Sequence, residues 1–122
     1  MIETDKYLDI PFSEADCYQF GSILYQDHKG YPLPSFSYSL LDARSMIKAV
    51  IAGEDIFTAI TKEELKELDG IIFHSPTCGK HIGFYLGNGK FIHQVRHSYP
   101  SIENLNSPKW SKRILGYCRY EP

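Results

Sequence analysis

The residues best suited to chemistry in this chain are Cys17 and a set of five histidines. A cysteine thiolate attacks carbonyl carbon well, but it needs a base to take its proton and return it to a leaving group. A third group usually holds that base in one orientation. Cys17 stands in Ser13-Glu-Ala-Asp-Cys-Tyr-Gln-Phe-Gly-Ser-Ile-Leu-Tyr25. Cys17, Phe20, Gly21 and Leu24 recur at helical spacing, and Ser13 with Asp16 three places on resembles a capping box. The stretch predicts an amphipathic helix from about Glu14 to His28, with Cys17 in its first turn. Unpaired backbone N–H groups and the positive end of the helix dipole favour thiolate there. A small residue buried under the helix is the commoner fate of a cysteine, so the partners decide.

The candidate partners are His28, His74, His81, His93 and His97. His81-Ile-Gly-Phe-Tyr-Leu86 and Lys90-Phe-Ile-His-Gln-Val95 read as two strands joined at Gly87-Asn88-Gly89. A two-residue Asn88-Gly89 loop pairs Phe84 with His93 and puts His81 and His93 on opposite faces. A three-residue loop, or a bulge, shifts the register by one and changes every face. His93 then lies opposite Gly83 and diagonal to His81, roughly 7–8 Å away along the backbone. Gly83 would leave room for the imidazole. If His93 orients His81, the loop is odd in length or the hairpin is bulged. The same register gathers Ile82, Phe84, Leu86 and Ile92 on the other face, so both faces of the sheet need a cover.

The other elements must bring helix and hairpin together. Tyr7 to Phe12 is an extended entry, Gly30 a C-cap, and Tyr31 to Ser39 a loop with Pro32 and Pro34. A second helix is expected from Leu41 to Ala52, and a short helical turn at Ile56 to Ile60. Thr61-Lys-Glu-Glu opens with a capping-box pattern, and Asp69-Gly70 turns into a strand at Ile71 to His74. A loop then runs through Pro100 and Pro108 to a last strand at Arg113 to Tyr120. Helices first and an antiparallel meander afterwards argue an α+β fold, with N-terminal helices packed on one antiparallel sheet.

At 122 residues the chain fits a single domain, 1–122. A net charge of −2 and the lack of a basic run argue against nucleic acid as partner. Three cysteines without C-x-x-C indicate neither a disulfide framework nor a zinc ribbon. Cys78-Gly-Lys-His81 offers two zinc ligands, with no further pair at a sensible spacing. No metal or cofactor is implied. Cys118 reads as core, and Trp110 as a packing anchor that near a cleft could also touch substrate. The N-terminus lacks a signal segment, and no apolar run reaches membrane-spanning length. The expectation is synthesis in the cytoplasm, with release by lysis or carriage in a particle for any outside role.

Four blocks together resemble the NlpC-type cell-wall peptidases, papain-like cysteine enzymes of bacteria and their phages. They are Asp16-Cys17-Tyr18 heading a helix, Glu67-Leu-Asp-Gly-Ile-Ile-Phe73, His81 through His93, and Ser107-Pro-Lys-Trp with Ile-Leu-Gly-Tyr117. The resemblance implies a papain-like fold with Cys17 as nucleophile, His81 as general base and acid, and His93 as orienting residue. It implies cleavage of a peptidoglycan stem peptide at the D-glutamyl–diamino acid bond. The Asp-Cys-Tyr start and the proline-rich loop look most like members at the tail tips of long-tailed phages. That similarity implies tail-hub or tail-tip partners and carriage in a virion. Family members often carry a tyrosine in Pro-Tyr-x-x-Gly-Gly ahead of the cysteine, whose hydroxyl helps bind the oxyanion. Here the stretch is Pro11-Phe12-Ser-Glu-Ala15, with Phe12 at the tyrosine position. Ser13 and Tyr7 are then candidate donors beside the Cys17 N–H. Asp16 and Tyr18 complete the candidate oxyanion or cleft residues. A non-enzymatic tail component with an idle triad is the rival reading; an amidase or transferase on another acyl substrate is a third.

Overall fold

The computed structural model describes residues 2–34, 57–75 and 79–122. The expected helix from Leu41 to Ala52 lies outside the described residues, as does Cys78. Among the described residues, one long helix, α1 (Cys17–Lys29), packs on an antiparallel sheet. The strands are β1 (Thr58–Ile60), β2 (Gly70–Ser75), β3 (Gly79–Gly87), β4 (Lys90–His93), β5 (Ser101–Asn104) and β6 (Ile114–Arg119). Their order across the sheet is β1-β6-β2-β3-β4-β5. A short α-helix, α2 (Pro108–Ser111), has Pro108 in its first turn, where the missing N–H costs nothing.

Strand alternation splits the core into two layers. Ile72, Ile82, Phe84 and Ile92 face α1, which answers with Phe20, Leu24 and Tyr25. Ile71, Phe73 and Phe91 face the other way and are covered by Leu105 and by Trp110 of α2. Both faces are thus apolar and both are covered. Gly21 permits the close contact of helix and sheet: a Cβ there would sit 2.0 Å from the ring of Phe84.

Three local expectations change. The 58–60 segment is a strand, not a helical turn, because Ala59 pairs with Cys118 and so extends the sheet edge beside β6. The stretch after His93 is not all loop: Ser101–Asn104 pairs with β4 and Pro108–Ser111 is helical. Four-residue elements are too short to show periodicity. The helix is capped by Asp16, not Ser13. Asp16 is extended, at φ −72° and ψ −175°, and its carboxylate accepts the N–H groups of Tyr18 and Gln19. The Gln19 side chain accepts the Asp16 N–H in return, at 3.0 Å. The preceding residues form their own turn, with Glu14 and Ala15 both donating to the Pro11 carbonyl. The expected capping box at Thr61 and the left-handed Gly30 C-cap are present.

Asp69, just before β2, ties that strand to the end of its neighbour β6. It is 1% exposed, and its two carboxylate oxygens accept from Arg119 Nε and Nη2 at 3.0 and 2.8 Å. It also accepts the Lys66 N–H at 2.7 Å.

Candidate active site

Cys17 occupies the first position of α1, half-buried against the helix-side core. The hairpin brings two of the histidines together. Asn88 and Gly89 have φ of 55° and 76°, the left-handed pair of a type I′ two-residue turn. Gly87 pairs with Lys90, but the register then shifts, and Tyr85 pairs with Phe91. The even loop and the bulge together give the register that an odd loop would have given. His81 Nε2 and His93 Nδ1 consequently lie 2.8 Å apart, with the ring centroids 5.0 Å apart and the planes at 73°. The room expected at Gly83 is used differently: a Cβ there would meet the Phe91 ring at 2.8 Å, not the imidazole.

His93 is nearly buried. Trp110 stands 4.9 Å from it edge to face, and Phe91 stands 5.1 Å away. Burial drives its pKa below the ordinary imidazole value; Glu103, at 3.5 Å from Nε2, opposes that shift and Lys109 adds to it. Burial also lowers His81 strongly, and the neighbouring His93 lowers it further. Both rings are neutral near pH 7. The unfolded chain, with histidines near 6.5, binds more protons below that pH than the folded one. Stability from the pair is therefore complete above about pH 6.5 and falls as the pH drops below it, by at most about 1.4 kcal/mol per unit for each ring. The urea midpoint is expected to fall between pH 7 and pH 5, and His93→Gln to flatten that fall.

The loops flanking the two functional elements are laced together. Gln94, fully buried, donates from Nε2 to the carbonyls of Ile10 and Ala15 at 2.9 and 3.0 Å. Phe12 donates its N–H to the Ser98 carbonyl at 2.9 Å, and its ring packs 6.1 Å from His97. The residue after His93 thus holds the residue two before Cys17, which fixes the head of α1 to the end of β4. Beside this junction lies a cleft of about 630 Å³, lined by His81, His93 and Trp110. Arg96, Lys109 and Arg113 also line it, and its described lining contains no carboxylate. His74 and His97 stand on its wall.

Other candidates are placed elsewhere. The Tyr7 hydroxyl donates to Asp27 at 2.8 Å and meets His28 Nε2 at 2.9 Å. Asp27 is ten residues along α1 from Cys17, or about 15 Å of helix. Tyr7 is therefore not beside the thiol. Tyr18 is 2% exposed and its hydroxyl donates to the Pro34 carbonyl, so it is a packing residue and not a cleft wall. Asp16 serves as the helix cap. Ser13 is exposed in the turn before the helix. His28 sits in the last turn of α1, as its sequence position suggests. Cys118 is buried, and burial pushes its thiol up to about 12, which makes it inert.

Glu103 and Gln94 escaped the sequence reading. Gln94 follows His93 directly, but no local pattern shows which carbonyls it will meet. Glu103 is two residues beyond Ser101, which pairs with His93, and this is visible only once β5 is known to exist.

The NlpC/P60 family pattern matches residues 7–119. The chain is 26% identical over 98 residues to the murein DD-endopeptidase MepS/murein LD-carboxypeptidase of Escherichia coli K12, covering 80% of this chain and 45% of that protein. It is 31% identical over 61 residues to the peptidoglycan DL-endopeptidase CwlO of Bacillus licheniformis, covering 50% of this chain and 14% of that one. The chain thus spans less than half the length of these relatives. Among solved structures, an NLP/P60 lipoprotein-like protein of Staphylococcus aureus Mu50 superposes with a TM-score of 0.67 at 24% identity, covering 96% of this chain and 38% of that one. The NlpC/p60 domain of the peptidoglycan hydrolase SagA superposes with a TM-score of 0.61 at 18% identity, over 95% and 91% of the two chains. With 7–119 matched and the architecture shared, the chain belongs to the NlpC/P60 family.

Proposed function

We propose that this protein is a cysteine peptidase that hydrolyses an amide bond in peptidoglycan stem peptides, at the D-glutamyl–diamino acid junction. The observation that carries the reading is the 2.8 Å contact of His81 with His93, on a strand whose end is tied to the residues before Cys17. His81 Nε2 is engaged by His93, so Nδ1 is the nitrogen that serves as base. Cys17 loses its thiol proton to that nitrogen and attacks the carbonyl carbon. The oxyanion is held by the Cys17 N–H at the head of α1. The tetrahedral intermediate collapses, His81 gives the proton to the leaving amine, and a thioester remains. Water then attacks the thioester, His81 takes its proton, and the carboxylic acid leaves Cys17 as thiol. The names of MepS and CwlO point to peptide bonds of murein, which supports the substrate class.

The cleft's charge fits the same substrate. Stem peptides carry free carboxylates on both sides of the bond, and Arg96, Lys109 and Arg113 line the cleft without a countercharge there. Reversing Arg113 to Glu is expected to raise KM about tenfold, roughly 1.4 kcal/mol of binding, with kcat little changed. Steady-state kinetics on a soluble stem peptide check this.

Phe12 keeps a second reading in view, that of a tail component with an idle triad. Its side chain carries no donor, and one missing oxyanion donor costs on the order of a hundredfold in rate. In either reading the family resemblance suggests delivery by a phage tail. Digestion of purified peptidoglycan, with fragments identified by mass spectrometry, separates the two. Fragments with a new amino terminus on the diamino acid are expected from the wild-type protein; no fragment from any wall type supports the idle component.

A further inference from the structure

We infer that Glu103 is a positioning residue of this site, whose carboxylate decides which nitrogen of His93, and through it of His81, carries the proton. The inference rests on the peptidase reading and concerns the same residues. A neutral imidazole has one N–H, and its other nitrogen accepts. A contact of 2.8 Å between two ring nitrogens holds one hydrogen, so one ring donates and the other accepts.

Two arrangements are possible. In the first, His93 Nδ1–H donates to His81 Nε2. The His81 proton then sits on Nδ1, the nitrogen needed as base, and His93 Nε2 points a lone pair at the Glu103 carboxylate 3.5 Å away. His93 is 4% exposed, so water does not relieve that repulsion. In the second, His81 Nε2–H donates to His93 Nδ1, and His93 Nε2–H points at Glu103 Oε2. Only the second places a hydrogen between ring and carboxylate, and only the second leaves His81 Nδ1 open. His93 Nε2 is buried and makes no hydrogen bond among the described residues; the Glu103 carboxylate, at 3.5 Å, is the acceptor that stands beside it.

The placement of Glu103 follows from the sheet. His93 pairs with Ser101 and Phe91 with Glu103, so all four side chains share one face. Ser101 Oγ donates to Glu103 Oε2 at 3.1 Å, which holds the carboxylate on that side. His81, Glu103 and Lys109 are the charged or titratable groups acting on His93, and the rings of Phe91 and Trp110 close its other sides. When His81 takes the thiol proton, the positive charge it gains is shared through His93 toward Glu103.

Long-range 1H–15N correlation spectra of the histidine rings at pH 7.5 read the tautomers directly, alongside kinetics of Glu103→Ala and Glu103→Gln. Wild type is expected to show His93 and His81 both protonated on Nε2. Glu103→Ala is expected to lose the single His93 tautomer and to lower kcat about tenfold to a hundredfold at unchanged KM. Glu103→Gln keeps an acceptor oxygen and is expected to restore the tautomer and most of the rate. His93 protonated on Nδ1 in the wild type would overturn the inference, as would a Glu103→Ala protein with unchanged spectra. If the expected tautomers appear but no stem peptide is cleaved, the peptidase reading fails while the role of Glu103 in setting the ring protons stands.

Discussion

His81→Ala is expected to lower kcat/KM on a stem peptide by about 10²- to 10⁴-fold, the usual span for a general acid–base group. The size of the effect reflects two proton transfers that use the same ring. In the proposed mechanism His81 takes the thiol proton during attack and then supplies it to an amine, a leaving group that departs poorly as an anion. Removing the base therefore removes the route to thiolate as well as the acid. The fold should tolerate the change, because His81 is half-buried at the cleft and not a member of either apolar core. Far-UV circular dichroism and the urea midpoint at pH 7.5 establish that, and the kinetic loss should appear in kcat more than in KM. His97→Ala, on the cleft wall, should leave kcat within a few-fold.

The second large effect falls on stability. Asp69→Ala is expected to destabilise the fold by about 3 kcal/mol, because the partly buried Arg119 guanidinium loses its buried counterion and keeps, among the described residues, only the exposed Glu121 at 3.9 Å. Arg119 loses two hydrogen bonds and the Lys66 amide loses its acceptor. The backbone around Asp69 is part of the sheet junction too: its carbonyl accepts the Tyr85 N–H at 2.9 Å, and Leu68 donates to the Tyr85 carbonyl at 2.8 Å. Domains of this size carry about 5–15 kcal/mol in all, so the loss should be plain in the urea midpoint. Replacing both partners, as in Asp69→Leu with Arg119→Met, should recover much of it, since no lone charge is then buried. An equally large loss in the double variant would show that the pair itself, not the orphaned charge, carries the stability.

The sequence carried the site further than it carried its surroundings. Helical spacing at Cys17, Phe20, Gly21 and Leu24 placed the cysteine at the head of a helix that packs on the sheet. The link between hairpin register and histidine geometry was also legible, because period-two alternation leaves few choices. Which device supplies the register was not: Asn88-Gly89 signals a turn, while no local residue pattern marks the shift between Tyr85 and Gly87. Ser13 reads as the cap from the sequence, with Asp16 as its partner three places on, but the turn made at the Pro11 carbonyl moves the cap to Asp16. Tyr7 is near Cys17 in sequence, yet its hydroxyl reaches the opposite end of α1. Glu103 and Gln94 act through partners distant in sequence, so no local pattern marks them. The family relation fixes the architecture, and the structure joins His81 to His93; the roles proposed for these two and for Cys17 are what the kinetics test.

The proposed mechanism passes through a thioester formed on Cys17. Rapid acid quench of the protein with a defined stem peptide, followed by intact-mass and peptide mapping, tests it most directly. A mass increase equal to the acyl half of the peptide is expected, mapped to Cys17 and absent in Cys17→Ala together with all amine release. Amine release that persists in Cys17→Ala would contradict that mechanism.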